Sequence, residues 1–146
     1  MTNEEKQILF IDLCERLPYG VKCHEDYVEY PFDIIGSMCY NKEFIFSDGY
    51  ERQIEQIKPY LRPISSMTES EIYKLFDILH IDKGGNDDDW IKINDVVGIK
   101  FFFPTGKWVE NVAEAYDYLN SIHIDYRGLI EKGLALEAPK DMYKTK

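Results

Sequence analysis

The sequence predicts an α+β fold, a single domain over residues 1–146 in which about three helices pack on a mainly antiparallel sheet built from hairpins. Three observations lead there. Residues 72–79 and 109–122 carry apolar side chains at spacings of three and four, and a broad apolar stretch near the amino end adds a third helix. Strand-like runs sit next to one another in sequence, at 33–46 and 90–103. The members of each pair are separated by a short polar connection, Asn41-Lys42 or Asn94-Asp95, which suits hairpins and makes parallel βαβ winding the weaker alternative.

Length and composition agree with a folded globule. A chain of 146 residues buries about two-thirds of the surface it exposes when unfolded, so no staple is required. With 45% hydrophobic and 14% aromatic residues it lies far from the composition of disordered chains. Twenty-seven acidic against 17 basic residues give a formal net charge of −10, which disfavours nucleic acid and anionic membranes as partners. The amino terminus MTNEEKQILF has no basic segment followed by an apolar run, and no stretch nears the roughly 18 apolar residues of a span. A cytoplasmic protein is expected. Cys14, Cys23 and Cys39, odd in number and widely spaced, read as reduced core thiols rather than a disulfide framework.

In chain order, Thr2 or Asn3 caps the first helix, with Glu5 completing a capping box, and Ile8, Leu9, Ile11, Leu13 and Leu17 supply its buried face until Pro18 and Gly20 stop it. A strand is expected at about Gly20 to His24 and a turn after it. DIIGSMCY and EFIF then form the first hairpin, and Ser47-Asp48-Gly49 turns the chain. Pro59 and Pro63 break the apolar spacing from Ile54 to Ile64, so a short helical turn or an edge strand is expected there. Ser66 or Thr68 opens the second helix, with Ile72, Leu75, Phe76 and Leu79 on its apolar face and its end near His80. Asp82 to Asp89 reads as a polar loop, Trp90 to Phe103 as a second hairpin, and Pro104-Thr105-Gly106 as the turn into the last helix.

That last helix starts at Trp108. Val109, Val112, Ala113, Tyr116, Leu119 and Ile122 form one face, Glu110, Glu114 and Asp117 the other, and the end falls between Asn120 and Asp125. Beyond it, Gly128-Leu129-Ile130 and Gly133-Leu134-Ala135-Leu136 carry four large aliphatic side chains. Burying each is worth roughly 1.5–3 kcal/mol, comparable in sum with a domain's whole margin of about 5–15 kcal/mol. The tail is therefore expected to belong to the core, with Tyr126 and Arg127 anchoring its start and order reaching Tyr143.

The chemistry-bearing motifs point away from cofactors and metals. Counting from Asp82, an EF-hand would need its bidentate acid where Ile93 stands, and no CxxC or HxxxH pair supports zinc. Gly84-Gly85 are followed by three aspartates, which repel phosphate, and Pro104 to Lys107 lacks the glycine spacing of a phosphate loop. One dense mix of functional groups remains, His123, Asp125, Tyr126 and Arg127, which could serve acid–base work, bind a ligand, or lock the helix end and the loop after it.

The runs IKPYLRPISSMTESE, GIKFFFPTGKW and YLNSIHIDYRGLIEKGLALEAPKDMY resemble a group of uncharacterised proteins recurring in gut Bacteroidetes genomes and their phages. The resemblance covers about half of the chain and implies a bacterial or prophage-borne cytosolic protein, with no catalytic residue attached. Eleven tyrosines, which combine apolar area with a hydrogen-bonding tip, favour a non-catalytic binding or accessory protein with a protein partner. Two other readings compete: a small enzyme using His123 with Asp125, and an acidic mimic of nucleic acid that inhibits a nucleic-acid-binding protein.

Overall fold

The structure is a computed structural model and describes residues 1–38, 43–79 and 112–144. Several expectations fall outside those residues: Cys39, the Asn41-Lys42 connection, His80, the loop at 82–89, the hairpin at 90–103 and the helix start at Trp108. Among the described residues the fold is α+β, with three α-helices and a six-stranded, mostly antiparallel sheet. Contacts gather the chain into two compact units, one formed by residues 1–61 with 129–146 and the other by residues 62–128.

The first unit opens with α1 (Asn3–Arg16). The Thr2 hydroxyl accepts from the Glu5 amide at 3.1 Å while the Glu5 carboxylate accepts from the Thr2 amide at 2.7 Å, forming the expected capping box. Leu17–Tyr19 tighten into a 3-10 turn, and Gly20, at φ 67°, releases the chain into the sheet. The buried face of α1 differs from the expected one. Ile11 is exposed, and the spacing Leu9, Asp12, Leu13, Arg16 faces inward. Asp12 and Arg16 are both fully buried and joined by two hydrogen bonds, Nε to Oδ2 at 2.8 Å and Nη2 to Oδ1 at 3.0 Å, so the pair occupies the place an all-apolar stripe would have taken.

The strands are β1 (Lys22–His24), β2 (Phe32–Met38), β3 (Glu43–Phe46), β4 (Glu51–Gln53), β5 (Lys58–Leu61) and β6 (Leu136–Glu137), in the spatial order β4-β3-β2-β1-β5-β6. β2 and β3 are the expected first hairpin, with Ile34 opposite Phe46 and a register shift before Gly36. The short helical turn expected between Ile54 and Ile64 is present as a 3-10 turn over Ile54–Gln56, whereas β5, which follows it, is not at the edge of the sheet. Cys23 of β1 faces Pro59 on one side, and the tail strand β6 pairs in parallel with Tyr60 and Leu61 on the other. Pro59 sits inside the sheet because a strand more than seventy residues away in sequence covers the side that short-range patterning leaves open.

The core of this unit holds Leu9 and Leu13 of α1, Cys23, Phe32, Ile34, Phe44, Phe46 and Leu61 of the strands, and Leu129, Leu134 and Ala135 of the tail. The tail is thus core, as its aliphatic content predicts. Its last tie is Tyr143, whose hydroxyl accepts from the Lys22 amide at 2.9 Å and donates to the Tyr60 carbonyl at 2.7 Å, bridging β1 and β5.

The second unit contains a 3-10 turn (Ile64–Ser66), α2 (Glu69–Leu79) and α3 (Val112–Ser121), with a core of Ile64, Met67, Leu75, Phe76, Ala115, Leu119, Ile124 and Tyr126. α2 begins with a second capping box, Thr68 with Glu71. On α3 the buried stripe runs through Ala115 and Leu119 while Ala113 is exposed, which rotates the face from the expected one. The helix ends at Ser121, inside the expected interval.

Candidate functional site

The four residues singled out in the sequence lie just after α3, and the geometry there is that of a helix terminus. The Ile124 amide donates to the Leu119 carbonyl at 3.0 Å and the His123 amide to the Asn120 carbonyl at 3.1 Å, the paired bonds of a Schellman motif. His123 occupies the left-handed position of that motif at φ 62°, where glycine is the usual residue. Ile124, the residue that packs back on the helix in such a motif, is fully buried in the same cluster as Leu119.

The backbone beyond is held by Arg62. Its amide donates to the His123 carbonyl and its carbonyl accepts from the Asp125 amide, both at 2.8 Å, making a parallel bridge from Arg62 to Ile124. Its guanidinium grips both carboxylate oxygens of Glu71 at 2.8 Å and reaches the Ser66 and Ile122 carbonyls. Tyr126 is buried against Tyr116, their ring centres 4.9 Å apart, and its hydroxyl donates to the Asn120 side chain at 2.9 Å. Arg127 lies over the Tyr126 ring at 4.7 Å and donates to its hydroxyl at 2.8 Å. His123, Asp125 and Tyr126 are all buried, while Arg127 is half-buried. The structure brings these residues together as a lock between a helix end and the chain that follows.

A second constellation, in the first unit, escaped the sequence reading. Arg52 of β4 is buried, yet it gathers two loops. Its Nε donates to Glu25 at 2.6 Å, at the start of the loop joining β1 to β2, and its two terminal nitrogens donate to Asp48 at 3.0 and 2.7 Å, in the turn joining β3 to β4. The guanidinium lies 4.0 Å from the centre of the Phe32 ring, at the far end of the first loop, and 5.8 Å from that of Tyr50. Phe32 in turn meets Phe46 edge-on at 4.7 Å. The hydrogen bond from Arg52 leads the influences that hold the Asp48 carboxyl below its ordinary 3.8, against a smaller opposing effect of burial.

These loops carry Tyr27, Tyr30 and Tyr50, the three most exposed large hydrophobic residues described, at 104%, 74% and 69% of their free surface. Tyr50 is itself in reach of Arg52, Tyr27 follows Glu25 by two residues and Tyr30 precedes Phe32 by two. Tyr27 stands at φ 71°, a left-handed conformation unusual for a bulky side chain, as the third residue of the turn closed by the Val28 amide donating to the Glu25 carbonyl. The signal in the sequence was an aromatic pair set among Glu25, Asp26 and Glu29, outside any apolar period. What the sequence hid was Arg52, which unites the two loops.

Cys23 is buried in β1, where desolvation leads the effects pushing its thiol well above 9.0, and Cys14 is half-buried. Among the described residues no three His, Cys, Asp or Glu side chains are grouped to share an ion, and no helix is long and apolar enough to cross a membrane. No protein-family model, curated protein or solved structure matches this chain.

Proposed function

We propose that this chain is a non-catalytic cytosolic binding or accessory protein, prophage-borne or bacterial as its resemblance implies, and that a protein partner meets it at Tyr27, Tyr30 and Tyr50. One observation carries the reading: three exposed tyrosines stand on two loops that a single buried arginine fixes in place. Tyrosine loses little conformational entropy on binding and offers both apolar area and a hydroxyl, and it recurs among residues that dominate interface energetics. Loops clasped from beneath present those rings without a large ordering cost.

The place of His123 and Asp125 supports the same reading. An acid–base pair must reach a substrate, and here both residues are buried and their backbones bond to Arg62. Affinity capture from the native host tests the proposal, comparing the natural protein with a variant carrying Tyr27→Ala, Tyr30→Ala and Tyr50→Ala. A stoichiometric partner held by the first and lost by the second is expected. Absence of any partner, together with turnover in a broad substrate screen, would overturn it.

A further inference from the structure

Resting on that reading, we infer that the partner presents a cationic segment of protein, whose arginine or lysine side chains lie on the three tyrosine rings and pair with the carboxylates between them. The loop at 25–31 and the turn with its neighbour at 47–51 contain five acidic residues, Glu25, Asp26, Glu29, Asp48 and Glu51, and no basic one. The cation at their centre does not cancel this charge outward. Arg52 is buried, bonded to Glu25 and Asp48 and stacked on Phe32, so it orders the loops while Asp26 and Glu29 remain exposed on the loop that carries Tyr27 and Tyr30; Glu51, also exposed, is on the face of β4 opposite to Arg52.

An aromatic face next to carboxylates is the arrangement that attracts a guanidinium or ammonium group, through the ring quadrupole and through ion pairing together. A purely apolar partner would have to strip water from these carboxylates with nothing to replace it. A polyanion would meet like charge here and a formal net charge of −10 over the whole chain. Complementary charge therefore selects a basic protein segment, and the long-range field of the chain favours its approach.

Fluorescence anisotropy with short labelled oligo-arginine, oligo-lysine and oligo-glutamate peptides, and a neutral leucine-rich peptide, tests the assignment on the full chain. We expect the cationic peptides to bind and the oligo-glutamate not to. Removing the three tyrosine rings should weaken binding about tenfold or more, the loss of a hot-spot cluster, and so should Asp26→Asn with Glu29→Gln. A control with Glu131→Gln and Glu137→Gln, exposed acids of the tail, should stay within about twofold, since well-separated exposed charges are screened. Thermal midpoints of all variants verify that each is folded. Equal losses in the tail control, unchanged binding by the tyrosine variant, or preference for the neutral peptide would overturn the inference. If the host partner is lost with the tyrosines while cationic peptides fail to bind, the cationic chemistry falls and the protein-binding reading stands.

Discussion

Arg62 and Glu71 form a two-pronged pair, with Nη1 2.8 Å from Oε2 and Nη2 2.8 Å from Oε1, and the same carboxylate accepts from the Thr68 amide at 2.9 Å. One glutamate thus closes the start of α2 and fixes the arginine whose backbone carries the stretch after α3. Arg62→Met should cost about 2 kcal/mol, below the loss typical of a fully buried pair because both side chains are about a fifth exposed to water. Glu71→Ala should cost more than Glu71→Gln, which keeps a capping acceptor. Chemical denaturation of the three variants gives the order. Burial pushes the Glu71 carboxyl up, but the Arg62 and Thr68 hydrogen bonds and the Arg62 charge outweigh it and hold it below 4.5. The stability this group contributes is therefore present above about pH 4.5 and is lost as pH falls through the range beneath. Glu71→Gln should flatten that part of the acid limb.

Both capping boxes were legible because their partners stand three residues apart, and the β2–β3 hairpin because its apolar runs adjoin. The buried face of α1 was not. A pattern reading scores Asp12 and Arg16 as solvent-facing, whereas each is the other's partner four residues along the helix, and this lets both enter the core and turns Ile11 outward. The place of β5 depends on the return of β6 from the far end of the chain, which no local spacing encodes. The candidate sites follow the same division. The cluster at His123 to Arg127 was visible as a density of functional groups, but its use as a helix lock is set by Arg62, about sixty residues earlier. The tyrosine face is assembled by one side chain that reaches both loops.

The Tyr143 hydroxyl ties the tail to β1 and β5 at once. Tyr143→Phe leaves the Lys22 amide without this acceptor and should cost about 1–3 kcal/mol. Cutting the chain after Asp125 removes Leu129, Leu134 and Ala135 from the core and should prevent the first unit from folding, seen as loss of the cooperative thermal transition. Burial raises the Tyr143 phenol well above 10.0. Its stabilising effect is complete below that pH and declines as pH rises above it, because the unfolded chain ionises first. Alkaline unfolding curves of the natural protein and Tyr143→Phe should therefore converge above about pH 10.

His123 holds a left-handed backbone at the end of α3. If its role is to terminate the helix, stability should follow the backbone preference of the substitute. His123→Gly should lie within about 1 kcal/mol of the natural protein, His123→Asn close to it, and His123→Ala lowest, since alanine pays the steric cost of this region. Equal losses in all three, measured by denaturant unfolding, would show that the imidazole ring itself is what the site requires.

Tyr27 combines the same backbone conformation with a fully exposed ring, so it gives the folded unit strain without burial in return. Replacing it by glycine removes a cost of about 1–2 kcal/mol in the folded state and adds about 0.5–1 kcal/mol of chain entropy to the unfolded one. Tyr27→Gly should therefore leave the thermal midpoint unchanged or raise it, while weakening the binding of oligo-arginine. Tyr30→Ala, at a residue without positive φ, should weaken binding with no gain in stability. That contrast separates a residue retained for recognition from one retained for the fold. A Tyr27→Gly protein that melts earlier and binds as before would show that the ring supports the loop and not a partner.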